Sequence, residues 1–218
     1  MSSLIDVSHV LEDGLITYPG LPGPIVCDFL SREASRKHYD EGTTFQIGKI
    51  EMVANTGTYV DSPFHRFEDG ADLAELELSR LANLDGVVVD ARGRGRSLDS
   101  QAFKNLDVKG KAVLVRTGWD KHWATPAYFD GHPFLTRRLA EELREAGAVM
   151  VGIDSLNIDD IRDGSRPVHT TLLGAGIPIV EHLCNLGDLP ESGFRFHAVP
   201  VKFRGVGTFP VRAYGVIS

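Results

Sequence analysis

The chain has 218 residues and a formal net charge of −7, and its charges are interspersed, so it lacks the basic patch or stripe of a nucleic-acid-binding protein. Hydrophobic residues make up 42% and charged residues 24%, as in an ordinary globular protein that buries one core. The chain length predicts a single domain over residues 1–218. The start lacks the features of a signal peptide, and no apolar run approaches the roughly 18 residues of a membrane span, so we expect a cytoplasmic protein. Neither nucleic acid nor a membrane is expected as a partner.

Strands are predicted at five points along the chain. Before them, a Pro- and Gly-rich segment at residues 18–24 indicates an extended loop that lines a cleft. Apolar, β-branched runs then predict strands at residues 47–53, 86–89, 112–115, 149–153 and 177–180. Polar residues interrupt the first run, whereas the later four are nearly unbroken, which is typical of strands buried on both faces.

Helices are predicted between these strands. The clearest covers residues 135–146, where Leu135, Leu139 and Leu143 recur every four residues and Gly147 supplies a C-terminal stop. Shorter helices are predicted at residues 73–84 and 100–106. The alternation indicates an α/β fold, and the strands after Gly176 indicate a mixed β-sheet flanked by helices.

The densest group of polar residues is Asn55-Thr-Gly-Thr-Tyr-Val-Asp-Ser-Pro-Phe-His65, which follows the first predicted strand. Asp61 and His65 are four residues apart and can share one site if the Ser62-Pro63 pair turns the chain. By themselves, a capping aspartate and a surface histidine explain the spacing equally well.

A second group runs from Val168 to Glu181 and is predicted to form a short helix, a Gly turn and a strand. This arrangement places His169 and Glu181 at the two ends of the segment, where both can face one edge of a sheet. Glu181 ends an apolar run, and a buried carboxylate there requires a cation or hydrogen-bond donors. The alternative is a carboxylate at a helix N-terminus, which the helix dipole favours.

The two groups resemble the metal-dependent cyclase and kynurenine formamidase family, whose signature is His-x-Gly-Thr-His-x-Asp-x-Pro-x-His. The chain keeps five signature residues at the family's spacing, namely Gly57, Thr58, Asp61, Pro63 and His65. The resemblance extends over nearly the whole chain through Ile5-Asp-Val-Ser-His9, Tyr18-Pro-Gly20, Arg116-Thr-Gly-Trp119, Gly152-Ile-Asp-Ser155 and Leu172-Leu-Gly-Ala-Gly-Ile-Pro178. It implies the family's swivelling β/β/α fold and a homodimer or homotetramer.

The resemblance also implies roles for the polar residues. Asp61, His169 and Glu181 correspond to metal ligands, and His65 to the acid/base group beside the metal. Imidazole and carboxylate ligands suit zinc or manganese. The implied reaction is hydrolysis of an amide, formamide or lactone bond in a small molecule, as in arylformamidases and isatin hydrolases.

Two signature histidines are replaced, by Asn55 and Tyr59, and both replacements are poorer metal ligands than neutral imidazole. We therefore expect one metal position to be lost. The remaining ligands leave three cases open: a single-metal enzyme, a weakly bound manganese or magnesium, and a metal-free site. Tyr59 is either a catalytic donor to a developing oxyanion or an aromatic ring that fills space.

Substrate contacts are predicted for Asn55 and Tyr18 and for two tryptophans, Trp119 and Trp123, in an aromatic stretch that forms either a pocket wall or packing for a loop.

Two other functions are also consistent with the sequence. One is a metal-independent cyclase or dehydratase that acts on a carbonyl-rich intermediate through His65, Tyr59 and Glu181. The other is a ligand-binding homologue that keeps the fold without catalysis.

Two further sets of residues are predicted to be structural. Cys27 and Cys184 are far apart in sequence, so neither a disulfide framework nor a zinc-ribbon site is expected. The run that contains Asp154 and Asp159 does not fit a calcium-loop pattern, and turn-making or helix-capping aspartates explain it more simply.

Overall fold

The computed structural model describes residues 2–103 and 106–217. Over that part of the chain the α-helices are α1 (Arg32–Ser35), α2 (Arg137–Glu145) and α3 (Pro167–Gly174). The strands are β1 (Ser3–Asp6), β2 (Ile25–Leu30), β3 (Ile47–Glu51), β4 (Tyr59–Asp61), β5 (Leu84–Asp90), β6 (Ser97–Leu98), β7 (Lys111–Arg116), β8 (Phe134–Leu135), β9 (Met150–Ile153), β10 (Ile179–Glu181), β11 (Ser192–His197), β12 (Thr208–Pro210) and β13 (Tyr214–Ile217).

A large mixed sheet carries the fold. Among the described residues it has nine strands in the order β1-β13-β11-β5-β7-β9-β10-β4-β12. The central strands β5, β7, β9 and β10 are parallel, while β4 and β12 on one side and β11, β13 and β1 on the other are antiparallel. The predicted α/β fold with a mixed sheet is confirmed.

The core lies on both faces of the central strands, as their unbroken apolar sequences predict. Val113 and Val151 face one side, where Leu139 and Leu143 of α2 cover them, whereas Leu114 faces the other side. The helix predicted at residues 135–146 is α2, and its buried residues lie on one stripe.

The helix predicted at residues 73–84 is wrong, because only a short 3₁₀ turn forms there, at Leu78–Arg80. The Asp72 side chain accepts hydrogen bonds from the backbone N–H groups of Ala74 (2.8 Å) and Glu75 (3.0 Å), which holds the chain in a turn. The helix predicted at residues 100–106 is a 3₁₀ turn over Ser100–Phe103, and residues 104–105 of that prediction lie outside the described residues.

The strand predicted at residues 47–53 ends earlier, at Glu51, and does not lead into the polar group as expected. It is β3, which pairs with β2 in a separate two-stranded sheet. All five residues of β3 are exposed. The strand that positions the polar group is β4, which is completely buried.

None of the helices in the described part of the chain is both long enough and apolar enough to cross a lipid bilayer.

Candidate active site

Neighbouring strands at one side of the large sheet position the polar residues. In the antiparallel pairing of β10 with β4, Glu181 lies opposite Tyr59. On the other side of β4, Thr208 of β12 lies opposite Asp61. The chain then turns through a 3₁₀ segment, Pro63–His65, which brings His65 back beside β4.

Four residues predicted from the sequence converge at this point. His169 Nε2, on α3, lies 3.7 Å from Asp61 Oδ2 and 3.6 Å from Glu181 Oε1. His65 Nε2 lies 3.8 Å from Asp61 Oδ1. His65, His169 and Glu181 line one cavity of about 240 Å³, so residues more than a hundred positions apart in sequence share one site.

Hydrogen bonds orient both imidazoles toward Asp61. His169 Nδ1 lies 2.7 Å from Asp159 Oδ2, and a carboxylate only accepts, so we assign the proton to Nδ1. Thr208 Oγ1 donates to Asp61 Oδ1 (2.5 Å) and lies 2.9 Å from His65 Nδ1, from which it therefore accepts. In the neutral form, each histidine consequently directs a lone pair on Nε2 toward the Asp61 carboxylate.

This arrangement fits a divalent metal ion. Asp61, His65 and His169 each offer one ligand atom, and the three atoms lie within 4.8 Å of one another. Asp61 Oδ2 is buried and has no hydrogen-bond partner among the described residues, although a buried carboxylate oxygen requires one. The contact between Asp159 and His169 is the carboxylate–histidine pair that commonly orients a metal ligand.

Electrostatic interactions at the site favour a cation. Burial alone would lower the pKa of His169, but the hydrogen bond to Asp159 and the nearby negative charges of Asp61 and Glu181 outweigh burial and raise the pKa to about 10. Burial alone would raise the pKa of Asp61, but the charges of His65 and His169 hold it below its ordinary value. The carboxylates are therefore balanced by a proton on His169 or by a metal ion in its place.

Glu181 is completely buried and is held by three donors. Its Oε1 accepts from the Ile158 backbone N–H (2.6 Å), and its Oε2 accepts from the Tyr59 hydroxyl (2.6 Å) and from Asn157 Nδ2 (3.1 Å). Burial raises the pKa of Glu181 above its ordinary value, against the opposing charge of His169. The geometry thus favours His65 over Glu181 as the third metal ligand; the metal-binding role of Glu181 stays a prediction.

Tyr59 lines the cavity at the position of a signature histidine. Its burial and the nearby charges of Glu181 and Asp61 raise the pKa of the phenol well above 10, so the group stays neutral. Since its single proton is donated to Glu181, it is not free for a substrate oxygen in this arrangement. Tyr59 therefore does more than fill space, and its contact is with Glu181.

The cavity wall includes predicted residues and residues that the sequence did not reveal. Tyr18 and Asn55 line it, as expected for substrate contacts, and so do Arg166 and Arg66. The Arg166 guanidinium donates to Tyr18 Oη and to Asn157 Oδ1, both at 3.2 Å. Arg166 has a positive φ of 46°, a strained conformation for a residue with a side chain, which the surrounding contacts hold.

The predicted pocket wall at Trp119 and Trp123 is not found at this cavity, which neither residue lines. Trp123 stacks on His9 with ring centroids 3.9 Å apart, and Trp119 Nε1 donates to the Tyr128 carbonyl (3.0 Å). These contacts are loop packing, the alternative that the sequence left open for this stretch.

Asp159 and Asp154 have the structural roles expected from the sequence. Asp159 accepts from the backbone N–H groups of Val168 (2.7 Å) and His169 (3.1 Å) and so caps α3. Its further contact with the His169 ring gave no signal in the sequence. Asp154 accepts from Thr117 and Gly118 and does not line the cavity.

Comparison with known proteins places the chain among enzymes of related structure. The profile of the family described as "Putative cyclase" matches residues 5–160. A kynurenine formamidase from Bacillus cytotoxicus is 29% identical over 216 residues, which cover 97% of this chain and 96% of that protein.

Solved structures share the fold over the full length of the chain. A structure described as a potential metal-dependent hydrolase with cyclase activity has a TM-score of 0.82 and 25% identity, and covers 100% of this chain and 99% of its own. Isatin hydrolase A from Ralstonia solanacearum has a TM-score of 0.87 at 20% identity, with 100% of this chain and 92% of that chain covered. The second likeness concerns the fold alone.

Proposed function

We propose, from the premise that the chain belongs to the cyclase family, that it is a hydrolase of an amide, formamide or lactone bond in a small molecule. The kynurenine formamidase relative supports the C–N bond as the bond that is cleaved. The observation that carries the proposal is Asp61 Oδ2, a buried carboxylate oxygen without a partner that lies beside the imidazoles of His65 and His169.

Asp61, His65 and His169 would hold one divalent ion, for which we propose zinc or manganese. Two imidazoles and one carboxylate are a ligand set found in open catalytic zinc sites. When bound, such an ion lowers the pKa of coordinated water and polarises a carbonyl group. The same three residues leave Glu181 free for proton transfer.

Glu181 is the proton-transfer group in this proposal. In hydrolysis the water oxygen bonds to the acyl carbon, the bond to the leaving nitrogen or oxygen breaks, and one proton moves from water to the leaving atom. A carboxyl group with a raised pKa can accept that proton and release it near neutral pH. Tyr59 and Asn157 hold this carboxylate in place through their hydrogen bonds.

Arg166 supplies positive charge on the cavity wall. Two of its five N–H donors bind Tyr18 and Asn157, so further donors are left for a negatively charged oxygen. We assign it to an anionic group of the substrate or to the oxyanion that forms when water adds.

The test is a panel of aryl formamides, cyclic amides and lactones, assayed in H₂¹⁸O with chelator, zinc or manganese. Hydrolysis is expected to incorporate one ¹⁸O atom into the product and to require the metal. Turnover with chelator and without ¹⁸O incorporation would instead identify a metal-free cyclase or dehydratase. Binding without turnover would identify a ligand-binding homologue.

Matched variants connect the activity with the site. Asp61→Asn is expected to lose metal and at least about a hundredfold in turnover, the scale of a catalytic group. Asp154→Asn is the control, because it makes the same change at a buried aspartate that does not line the cavity. The variants His65→Ala and Glu181→Gln identify the third ligand, since only the variant at that ligand should lose metal as well as activity.

Cellular fractionation would test the cytoplasmic location, which stays a prediction.

A further inference from the structure

A second cavity, with a volume of about 480 Å³, lies apart from the cavity of the candidate active site, which is called the catalytic cavity below. None of the described residues that line one cavity also lines the other. The walls of the second cavity are the loops that follow β5, β7, β9 and β10, four strands that run parallel to one another. Ligands commonly bind outside the carboxyl ends of such strands, in sites of about 300–1,000 Å³. The second cavity is therefore a candidate binding site.

The wall of the second cavity is mainly polar and carries charges of both signs. Among the described residues that line it, the only apolar side chain is that of Leu186, and the charged residues are Arg92, Arg116, Lys121, Asp120, Asp154 and Asp188. Arg92 already pairs with Asp90 at 2.7 Å. The buried carboxylate of Asp154 accepts from the Thr117 backbone N–H at 2.7 Å. An apolar ligand would bury the remaining charged groups without partners, so a polar ligand suits this wall better.

Arg116 presents free hydrogen-bond donors to the second cavity. The residue is half-buried, and within the part of the chain that the structure describes its guanidinium has neither an ion pair nor a hydrogen bond. The guanidinium packs against the backbone of Gly187, in the space that a side chain at that position would fill. A guanidinium held in this way can bind a carboxylate through two parallel hydrogen bonds.

Asp120 places a negative charge in the same cavity. It is half-buried, and its Oδ2 accepts from the Asn185 backbone N–H at 3.1 Å. This hydrogen bond fixes Asp120 to the turn at residues 185–188, the turn against which Arg116 packs at Gly187. One turn thus holds two opposite charges in one cavity, and in the described chain they do not pair with each other. A ligand with one negative and one positive group would bridge them.

Ligands with a single kind of charge suit the second cavity less well. Among the described residues, only the group at Asp61 brings three candidate metal-ligand atoms within 4.8 Å of one another, so the aspartates of the second cavity do not form a comparable metal site. An anion would face Asp120 and Asp188, whereas an organic cation would face Arg116 and Lys121. Like charges brought together in this way weaken binding.

We propose that the second cavity binds a small zwitterion of the α-amino acid class, with its carboxylate on Arg116 and its ammonium group on Asp120. Because Leu186 offers the only apolar contact among the described lining residues, the wall favours amino acids with small or polar side chains. The proposal rests on residues outside the catalytic cavity, so it holds whether or not the chain is a hydrolase.

The experiment screens the common amino acids against the full chain by saturation-transfer NMR and measures the affinity of those that bind by isothermal titration calorimetry. At least one amino acid with a small or polar side chain is expected to bind with a stoichiometry of one. Its carboxamide and its N-acetyl derivative, which each lack one of the two charges, should bind at least about tenfold more weakly, the scale of a lost charge-assisted hydrogen bond.

Variants locate the bound amino acid. Arg116→Met and Asp120→Asn are each expected to lower the affinity about 10- to 100-fold. Gly187→Ala keeps every charge but displaces the Arg116 guanidinium, so it should weaken binding as well; alanine is compatible with the backbone there, because Gly187 does not have a positive φ. Arg166→Met is the matched control, since it makes the same change at an arginine of the catalytic cavity, and it should leave the affinity unchanged.

A screen in which no common amino acid binds at millimolar concentration would overturn the proposal. Equal affinity for the amino acid and its N-acetyl derivative or carboxamide would do the same. An affinity that falls with Arg166→Met and not with Arg116→Met would place the ligand in the catalytic cavity and would also refute the proposal. If Arg116→Met fails to fold, by near-UV circular dichroism, Asp120→Asn and the derivatives tested on the wild-type protein still decide the outcome.

Discussion

Substitution of Asp159 by asparagine tests whether His169 is held ready to bind a metal ion. Asp159 Oδ2 lies 2.7 Å from His169 Nδ1 and also accepts from the His169 backbone N–H at 3.1 Å. Asp159 Oδ1 accepts from the Val168 backbone N–H at 2.7 Å. Asparagine has one acceptor oxygen, so its NH₂ group must face at least one of these donors.

Two effects of different size follow from this substitution. A buried N–H without an acceptor costs about 1–3 kcal/mol, so the free energy of unfolding should fall by that amount. The His169 ring also loses the partner that fixes its proton on Nδ1. Losing such a contact typically weakens metal binding about 10- to 100-fold, which is the expected change in zinc affinity.

Zinc affinity would be measured by competition with a chelator of known affinity at fixed pH, and stability by urea unfolding of the metal-free protein. Asp154→Asn is the matched control, since Asp154 accepts from the backbone N–H groups of Thr117 (2.7 Å) and Gly118 (2.8 Å). It should lose similar stability and keep its zinc affinity. If Asp159→Asn binds zinc as tightly as the wild-type protein, Asp159 only caps α3 and the assigned role is wrong.

Three further predictions concern the protonation of His169 and Glu181 and the positive charge of Arg166. The metal-free protein should have a lower free energy of unfolding at pH 10 than at pH 6, as measured by denaturant titration. Folding raises the pKa of His169 from 6.5 to about 10, so protonated His169 contributes its full stabilisation below about pH 6.5, and this contribution is lost as the pH rises through about 10. An equal free energy of unfolding at the two pH values would contradict this. Tyr59→Phe removes a hydrogen bond that lowers the pKa of Glu181, so the acidic limb of the pH profile of kcat/KM should move to higher pH. If the acidic limb does not move, Glu181 is not the proton-transfer group. Arg166→Met should raise KM about 10- to 100-fold for a carboxylate-bearing substrate and leave its neutral analogue unchanged, whereas equal effects on both would place the guanidinium away from the substrate.

The sequence predicted those parts of the fold that local pattern determines. The central strands follow from unbroken apolar runs, and α2 follows from leucines at helical spacing. The helix predicted at residues 73–84 does not form, because the turn at Asp72 and the positive φ of 56° at Asn83 interrupt it. Hydrogen bonds from the backbone to the Asp72 side chain and a left-handed residue at Asn83 prevent a regular helix there.

The convergence of Asp61 and His65 with His169 and Glu181 was predictable because the motif residues keep their spacing. The groups that orient them were not. Thr208 contacts Asp61 from 147 residues away, and no local pattern marks one threonine among others as a partner of His65. The exposure of β3 was equally hidden, since strand propensity describes backbone shape and does not state what covers the strand.

The replacement of one signature histidine by Tyr59 explains why we propose different roles for Asp61 and Glu181. An imidazole at position 59 could offer a lone pair to a metal ion, whereas the buried phenol of Tyr59 stays neutral and can only donate its proton to Glu181. Glu181 therefore has donors on both oxygens, and its burial raises its pKa even though the hydrogen bond from Tyr59 lowers it, which is why we propose proton transfer and not ligation for this residue. Among the described residues Asp61 keeps one oxygen without a hydrogen-bond partner, close to the imidazoles of His65 and His169, and this is the side of the cavity where we propose that a cation binds. In the proposed function, the replacement of a histidine by Tyr59 thus leaves a candidate site for one ion at Asp61 and a separate proton-transfer group at Glu181.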